Sequence, residues 1–182
     1  VLSDLERTPL LDVAIDGADV SLYQLNTLTL QEVDAHLNLI KGGGACCTQE
    51  KIVASAAKLL VIIADYTKQA TTLGTVWKKG VPIEVIPMAY TLVTAKLKAL
   101  GGVATLRMGP PSKAGPCVTD NGNFLLDVDF GPIEDPASLD TKLQRIPGIV
   151  ETGLFVEMAE FIYFGRVDGS VLQLDKNSTS DK

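Results

Sequence analysis

The sequence is poor in the residues that build metal sites and disulfide frameworks. Its 182 residues include three cysteines and one histidine, His36. Cys46 and Cys47 are adjacent, and adjacent cysteines rarely form a disulfide with each other. With Cys117 the count is odd, which also argues against a disulfide framework. The spacing of these residues is not that of zinc ligands. We therefore expect free thiols, no metal and a reducing compartment, by default the cytoplasm.

Basic charge and long apolar runs are also scarce. Lys and Arg number 16 against 22 Asp and Glu, for a formal net charge of −6. We therefore expect no nucleic-acid partner and no attraction to anionic lipid. No apolar run reaches the roughly 18 residues of a membrane-spanning helix, and no signal peptide is visible. Aromatic residues make up only 5%, whereas hydrophobic residues make up 46%, a balance that suits buried parallel strands flanked by helices.

The first third of the chain alternates strand and helix patterns, as a parallel α/β sheet does. The predicted elements are a strand, a glycine-rich loop, a helix and an apolar strand, at residues 11–15, 41–44, 48–58 and 59–64. Thr48 is the predicted N-cap of the helix, and Ile52 and Val53 are predicted to face inward. Ligands of such sheets bind beyond the carboxyl ends of the strands, where Asp16 and Asp65 stand.

After residue 80 the order changes to strand-helix-strand-strand-helix-strand, which is typical of a ferredoxin-like α+β domain. The predicted elements are at 81–86, 90–100, 103–108, 124–128, 136–145 and 149–155, followed by a closing hairpin at 161–164 and 171–174. We predict an α/β protein in which a Rossmann-like parallel-sheet domain carries an inserted ferredoxin-like domain. The predicted bounds are 1–80 with 156–175 for the first domain, 81–155 for the second, and 176–182 for a loose tail.

Three polar segments lie close together in the first predicted domain: DGAD at 16–19, KGGG at 41–44 and TQEK at 48–51. Each alone has an ordinary structural explanation, as a turn, a flexible loop and a carboxylate at a helix start. Together they supply what an aldose–ketose isomerisation through an enediol requires. Backbone amides favour oxyanions, a lysine steadies developing charge, and a carboxylate acts as a general base. This chemistry needs no metal.

The order of seven segments resembles the ribose-5-phosphate isomerase A family. These segments, which run from near the start of the chain to about residue 169, are IDGAD, LNLIKGGG, TQEKIVAS, VIIAD, VPIEVIPMAY, VTDNGNFLLDV and IPGIVETGLF. The resemblance implies a Rossmann-like domain with an inserted ferredoxin-like one. It also implies interconversion of ribose 5-phosphate and ribulose 5-phosphate without a cofactor, by a homodimer or homotetramer.

The resemblance implies roles for individual residues. Glu50 matches the family's proton acceptor, which moves a proton between C2 and C1 of the sugar. Asp16 and Asp19 match paired aspartates that contact sugar hydroxyls and assist ring opening and proton exchange on oxygen. Lys41 matches the lysine that stabilises the enediolate. The implied substrate-binding residues are Gly17, Ala18, Gly42, Gly43, Gly44 and Lys68.

Two features depart from the family's pattern. The family's opening strand and its Gly-Thr/Ser phosphate loop have no counterpart, so we expect that an amino-terminal segment is missing, which could have carried an organellar address. Residues 20–31 (VSLYQLNTLTLQ) separate Asp19 from Glu32, which the family joins directly. We interpret them as a retained intron, because Val-Ser and a final Gln match the codons at intron ends. The alternative is a tolerated surface excursion.

Three other functions compete with catalysis by this family's reaction. A non-catalytic sugar-phosphate sensor is disfavoured because the candidate base Glu50 is present with its partner residues, and a sensor need not keep a base. Another enzyme of the same broad fold group, such as a coenzyme A transferase or an amino-sugar phosphate isomerase, is disfavoured by the VTDNGN and IPGIVETGLF segments. The third alternative is an inactive fragment of the isomerase.

Overall fold

The computed structural model describes residues 5, 9–17, 30–112 and 114–176. The strands in these ranges are β1 (Leu11–Gly17), β2 (Leu30–Val33), β3 (Leu39–Lys41), β4 (Ala57–Asp65), β5 (Val81–Val85), β6 (Val103–Leu106), β7 (Phe124–Asp129), β8 (Ile149–Thr152), β9 (Leu154–Phe155), β10 (Phe161–Gly165) and β11 (Val171–Asp175). The helices are α1 (Cys47–Ala56), α2 (Tyr90–Ala99) and α3 (Pro136–Gln144), with 3-10 turns at Tyr66–Lys68 and Pro87–Ala89. No helix among the described residues is long and apolar enough to cross a membrane.

The first sheet has the strand order β1-β4-β10-β11. Its first three strands are parallel, and β11 pairs antiparallel with β10, as the predicted closing hairpin requires. One face is buried in the core, with Leu60 and Ile62 of β4 packed among residues such as Phe164. The register places Asp16 opposite Ile62, so the polar end of β1 lies at the carboxyl edge of the sheet. The predicted parallel strands are confirmed.

The opposite face of the first sheet is apolar and is left open by the described residues. Val13 and Ile15 of β1 are 48% and 68% exposed, and Ile63 of β4 is 48% exposed. These side chains alternate with the buried ones because successive residues of a strand point to opposite faces. We define the open face by these three residues.

The second sheet, β2-β3-β9, is small and was not predicted from the sequence. Leu30 and Gln31, the last two residues of the predicted insertion at 20–31, lie in β2 with 0% and 1% exposure. A surface excursion is therefore wrong for these two residues, since they occupy a buried strand. Residues 20–29 lie outside the described part of the chain, and their origin in an intron stays a prediction.

The third sheet has the order β6-β7-β5-β8, with all neighbouring pairs antiparallel. β7 lies between β5 and β6, the two strands that α2 connects, which is the split βαβ arrangement of a ferredoxin-like unit. Its core joins strand and helix residues, among them Ile83, Val93 and Leu143. The predicted α/β fold class with a ferredoxin-like unit is confirmed. The predicted boundaries between the two domains stay predictions.

The helix predicted at 48–58 differs in its bounds and in its buried face. The α1 helix starts after an N-cap at Cys46 that makes no side-chain cap bond, and Ala57 already belongs to β4. Thr48 is not the cap, because its hydroxyl donates a hydrogen bond to Glu84. Ile52 is 48% exposed, so its predicted inward orientation is wrong. The helix packs against strands of both larger sheets, and that contact decides which face is buried.

The strand predicted at 149–155 is divided at Gly153 into β8 and β9, which belong to different sheets. The N–H of Gly153 donates to the carbonyl of Pro82 at 2.7 Å, and its carbonyl accepts from the N–H of Lys41 at 2.8 Å. A Cβ at this position would lie 2.3 Å from the Lys41 carbonyl oxygen. Only glycine therefore fits this crossing. Of the predicted loose tail, Lys176 is held, since its N–H donates to Glu160, and residues 177–182 lie outside the described part.

Candidate active site

A buried lysine lies between two carboxylates at the carboxyl end of β1. Lys41 is fully buried, and its Nζ lies 2.8 Å from Oδ2 of Asp16 and 3.2 Å from Oε2 of Glu50. Burying an ammonium is costly unless opposite charge compensates it, and these carboxylates do so. We call these three residues the acid–base cluster. Three of the four predicted catalytic residues thus come together, whereas Asp19 and the predicted substrate-binding residue Ala18 lie outside the described residues.

The two carboxylates reach the cluster from the ends of two different elements. Asp16 is the penultimate residue of β1, and its Oδ1 accepts a hydrogen bond from the N–H of Gly17 at 2.8 Å. Glu50 lies in the first turn of α1, where the helix dipole favours a negative charge. Their side chains remain 22% and 11% exposed, so a ligand can approach them from solvent.

Lys41 is the last residue of β3, not a loop residue as the glycine-rich pattern predicted. The pairing of its N–H with Gly153 fixes the backbone. Its Nζ also lies 5.5 Å from the centre of the Phe155 ring, within cation–π distance. Strand, aromatic ring and carboxylates together hold the ammonium in one place.

Glu50 has unequal oxygens. Oε1 accepts a hydrogen bond from the Cys46 thiol, with the sulfur 3.0 Å away. Oε2 is buried and contacts the Lys41 ammonium, but it has no partner with hydrogen-bond geometry within the described residues. A carboxylate that accepts one hydrogen bond and one ionic contact keeps the capacity to accept a proton.

The thiol beside Glu50 was missed by sequence reasoning, which weighed the cysteines only as disulfide or metal ligands. Burial, reinforced by the hydrogen bond to Glu50, raises the pKa of Cys46 to about 12. Burial, with the nearby Glu84 charge, raises the pKa of Cys47 to about 12 as well. Both thiols are therefore protonated at neutral pH, and Cys46 acts as a donor.

The predicted glycine-rich loop is a tight turn over residues 42–45 between β3 and α1. The N–H of Ala45 donates to the carbonyl of Gly42 at 3.1 Å, and both residues have positive φ, 68° and 97°. A Cβ on Gly42 would lie 2.6 Å from Cβ of Cys47, so close packing as well as backbone conformation requires glycine there. The turn joins Lys41 directly to the helix that carries Glu50.

Lys68, a predicted substrate-binding residue, is not one of the residues that the ion pairs of the acid–base cluster join. It is the last residue of the 3-10 turn that follows β4, at the same edge of the sheet as Asp16. It is half-buried, and among the described residues no ion pair joins it to the cluster. Asp65, at the end of β4, caps this turn by accepting from the N–H of Thr67 at 2.8 Å. Its observed role is thus structural.

Arg107 contacts the glycine turn and was not predicted. Its Nη1 lies 3.1 Å from the carbonyl oxygens of both Gly42 and Gly43. Asp127 binds the other side of the guanidinium, with Nε 2.8 Å from Oδ2 and a second contact from Nη2. Burial lowers the pKa of Arg107, but the bond to Asp127 outweighs it and raises the pKa above its usual value.

Glu84 is a second residue of this region that was not predicted; it lies in β5 and is fully buried. Its carboxylate accepts a hydrogen bond of 2.5 Å from the Thr48 hydroxyl in α1. It also accepts hydrogen bonds of 2.8 to 3.0 Å from three side chains of the VTDNGN segment, Thr119, Asn121 and Asn123. Burial raises the pKa of Glu84, but these four hydrogen bonds together lower it below its usual value. The anion therefore ties the first turn of α1 to the third sheet.

A buried lysine between carboxylates, beside a glycine turn at the end of parallel strands, has the groups that proton transfer on an oxygen-rich substrate requires. The class of protein is therefore an α/β protein with an acid–base centre. The sequence model of the family described as ribose 5-phosphate isomerase A (phosphoriboisomerase A) matches residues 1–169. The chain belongs to this family, and the predicted family membership is confirmed.

Individual relatives agree with this placement. The chain is 53% identical over 176 residues to a human protein named ribose-5-phosphate isomerase, covering 96% of the chain and 52% of the human protein. It is 54% identical over 172 residues to a Dictyostelium discoideum protein of the same name, covering 93% and 68%. The chain thus spans about half the length of its human relative.

A solved structure has the same fold. It is described as D-ribose-5-phosphate isomerase in complex with phospho-erythronic acid, and it superposes with a TM-score of 0.82 at 39% identity. The superposition covers 94% of this chain and 68% of that one. The fold class is confirmed, whereas the roles of individual site residues stay predictions.

Proposed function

We propose that the chain carries the catalytic centre of a ribose-5-phosphate isomerase, which interconverts an aldose phosphate and a ketose phosphate through an enediolate. The single observation that supports this most strongly is the acid–base cluster, in which Lys41 lies within 3.2 Å of both Asp16 and Glu50. The names of the relatives support the choice of ribose 5-phosphate as substrate.

Glu50 is the proposed base. It takes the proton from C2 of the open-chain aldose, and the electrons of that C–H bond form the C1–C2 double bond while the C1 carbonyl oxygen becomes an oxyanion. Return of the same proton to C1, with transfer of the C2 hydroxyl proton to the C1 oxygen, gives the ketose. The carboxylate suits this role because its side chain is partly exposed to a ligand and contacts the Lys41 ammonium, which would stabilise the oxyanion.

Lys41 and Asp16 act on the oxygen atoms of the substrate, by stabilising negative charge and by exchanging protons. The buried ammonium stabilises the oxyanion electrostatically, and a low-dielectric setting makes such stabilisation strong. Asp16, 2.8 Å from that ammonium, exchanges protons with the sugar hydroxyls, together with Asp19. Gly17, Ala18, the 42–44 backbone and Lys68 are the proposed substrate contacts.

Assembly and location are part of the same proposal. Resemblance to the family supports a homodimer or homotetramer. The three cysteines are free, which supports a reducing compartment such as the cytoplasm.

A second candidate function is sugar-phosphate binding without turnover. The observation in its favour is that Oε2 of Glu50 is buried against the Lys41 ammonium, while Oε1 already accepts a hydrogen bond from Cys46. Interactions that hold the substrate and the transition state equally give recognition without turnover.

The decisive experiment compares the chain with its Glu50→Gln variant, which keeps the shape of the side chain and removes the base. Isomerisation of ribose 5-phosphate is followed by NMR, and binding of phospho-erythronic acid by calorimetry. We expect turnover to fall by about 10²–10⁴-fold with binding retained. Glu157→Gln, an exposed glutamate, is the matched control.

Near-normal turnover by Glu50→Gln contradicts the assignment of the base. Binding of phospho-erythronic acid by an unaltered chain that does not turn over ribose 5-phosphate selects the second candidate function.

A further inference from the structure

Arg107 connects the third sheet to the glycine turn. It directly follows β6, and its guanidinium donates to two successive carbonyls of the turn, those of Gly42 and Gly43. Asp127 in β7 binds the opposite edge of the guanidinium, so the group cannot rotate away. An arginine held in this way is a rigid fork with fixed donor directions.

Because peptide units are planar, the contact with Arg107 also fixes the direction of two N–H groups of the turn. In a trans peptide unit the C=O and the following N–H point in opposite directions, and the described residues contain no cis peptide bond. The carbonyls of Gly42 and Gly43 point to Arg107. The N–H groups of Gly43 and Gly44 therefore point away from it.

The turn begins in a packed position and ends in an exposed one, since Gly42 is buried against Cys47 and Pro82, whereas Gly44 is exposed. Along the chain it leads from Lys41 to Cys46, whose thiol contacts Glu50, so it connects two members of the acid–base cluster.

We propose that Arg107 is a positioning residue that aims the N–H groups of Gly43 and Gly44 at the oxyanion of the enediolate. The inference rests on the proposed isomerase function, and it adds a second source of oxyanion stabilisation to Lys41. Removal of a single donor of this kind typically lowers kcat about 10²–10³-fold, because the donors are fixed before charge develops. Arg107 itself does not touch the substrate.

The first test is kinetic and uses Arg107→Met, with the exposed Arg145→Met as control. We expect kcat for ribose 5-phosphate to fall about 10²-fold while KM changes little, since the lost stabilisation is specific to the charged intermediate. Phospho-erythronic acid, whose carboxylate carries charge on oxygen, loses affinity in parallel. Ribitol 5-phosphate, which has neither a carbonyl nor a carboxylate, binds as before.

Chemical rescue separates positioning from mere folding. In Arg107→Ala, dilute guanidinium chloride is expected to restore part of kcat by occupying the vacated position, and the same concentration of urea is not. A variant that only lowers the melting temperature, with kcat unchanged, overturns the proposal.

The last test is independent of activity. The NMR order parameters of the Gly43 and Gly44 amides are expected to fall in Arg107→Met, but not in Arg145→Met, because the turn loses the guanidinium that fixes it. Unchanged order parameters overturn the positioning role, even in a chain without isomerase activity. Lower order parameters in a chain that binds no sugar phosphate support the orientation of the turn and refute the proposed function instead.

Discussion

Glu50 and Glu84 are two carboxylates near one helix start, and their surroundings differ sharply. Glu84 accepts four side-chain hydrogen bonds, and every one comes from a neutral donor. Glu50 has a thiol on one oxygen, and its other oxygen has only an ionic contact within the described residues. A fully bonded buried anion stabilises structure, whereas a partly bonded one keeps capacity for a proton. Thr48, two residues before Glu50, connects the two regions.

Removal of the charge that compensates Glu50 is expected to have the largest effect. Lys41→Met should lower isomerisation by at least about 10²-fold, because it removes the oxyanion stabiliser and leaves Asp16 and Glu50 as neighbouring like charges. Lys51→Met is a close control, since Lys51 lies 5.2 Å from the same Phe155 ring and pairs with Glu151 instead. Steady-state kinetics measures both. An equal loss in the two variants contradicts a special role for Lys41.

Loss of the Glu84 charge is expected to lower the stability of the fold more than it lowers turnover. Glu84→Gln should lower the free energy of unfolding by about 2–4 kcal/mol, because donors that faced a buried carboxylate then face an amide. Turnover falls less than in Lys41→Met, through displacement of α1. Urea denaturation monitored by circular dichroism measures the stability. A variant as stable as the parent would show that the four hydrogen bonds do not stabilise the fold.

The pH dependence of stability sharpens the same comparison. Folding lowers the pKa of Glu84 below its ordinary value of 4.5. The contribution of the Glu84 carboxylate to the free energy of unfolding is therefore fully present above pH 4.5. The contribution is lost as the pH falls through the folded pKa, because the proton binds the unfolded chain more readily. The difference in stability between parent and Glu84→Gln should therefore shrink in acid. A constant difference from neutral pH to pH 3 would contradict the lowered pKa.

The thiol on Glu50 is expected to have the smallest effect. Cys46→Ala removes a weak donor from Oε1 and should change turnover only about two- to fivefold. Because its pKa is raised to about 12, the Cys46 thiol should also react slowly with iodoacetamide at neutral pH. Mass spectrometry after timed alkylation checks this, with Cys117→Ala as the control for kinetics. Rapid labelling of Cys46 with loss of activity would overturn both expectations.

The cluster around Lys41 was predictable because its members stand in short, recognisable segments at the ends of predicted elements. Arg107 and Glu84 were not, since they meet the turn and α1 across 65 and 36 positions of sequence, and no local pattern records such contacts. The end of α1 was misplaced for a related reason. Ala57 and Lys58 favour a helix by propensity, but the pairing of Ala57 with Leu11 draws them into β4.

The order of elements was easier to predict than their partners. Hydrophobic periodicity located the strands of the third sheet within a few residues. The short strands β2 and β3 were missed, because β3 owes its existence to β9, more than a hundred residues later, where Leu39 pairs with Phe155. Three-residue strands have too little pattern of their own to be detected.

The open face formed by Val13, Ile15 and Ile63 affects how the protein behaves in solution. In the described chain β1 also lies at the edge of its sheet, so exposed side chains and an exposed backbone edge occur together. Such surfaces associate with one another when the protein is concentrated, and they take up hydrophobic dyes such as anilinonaphthalene sulfonate. A sedimentation profile that shifts continuously with concentration therefore reports this surface. A fixed stoichiometry that survives dilution reports a specific homo-oligomer.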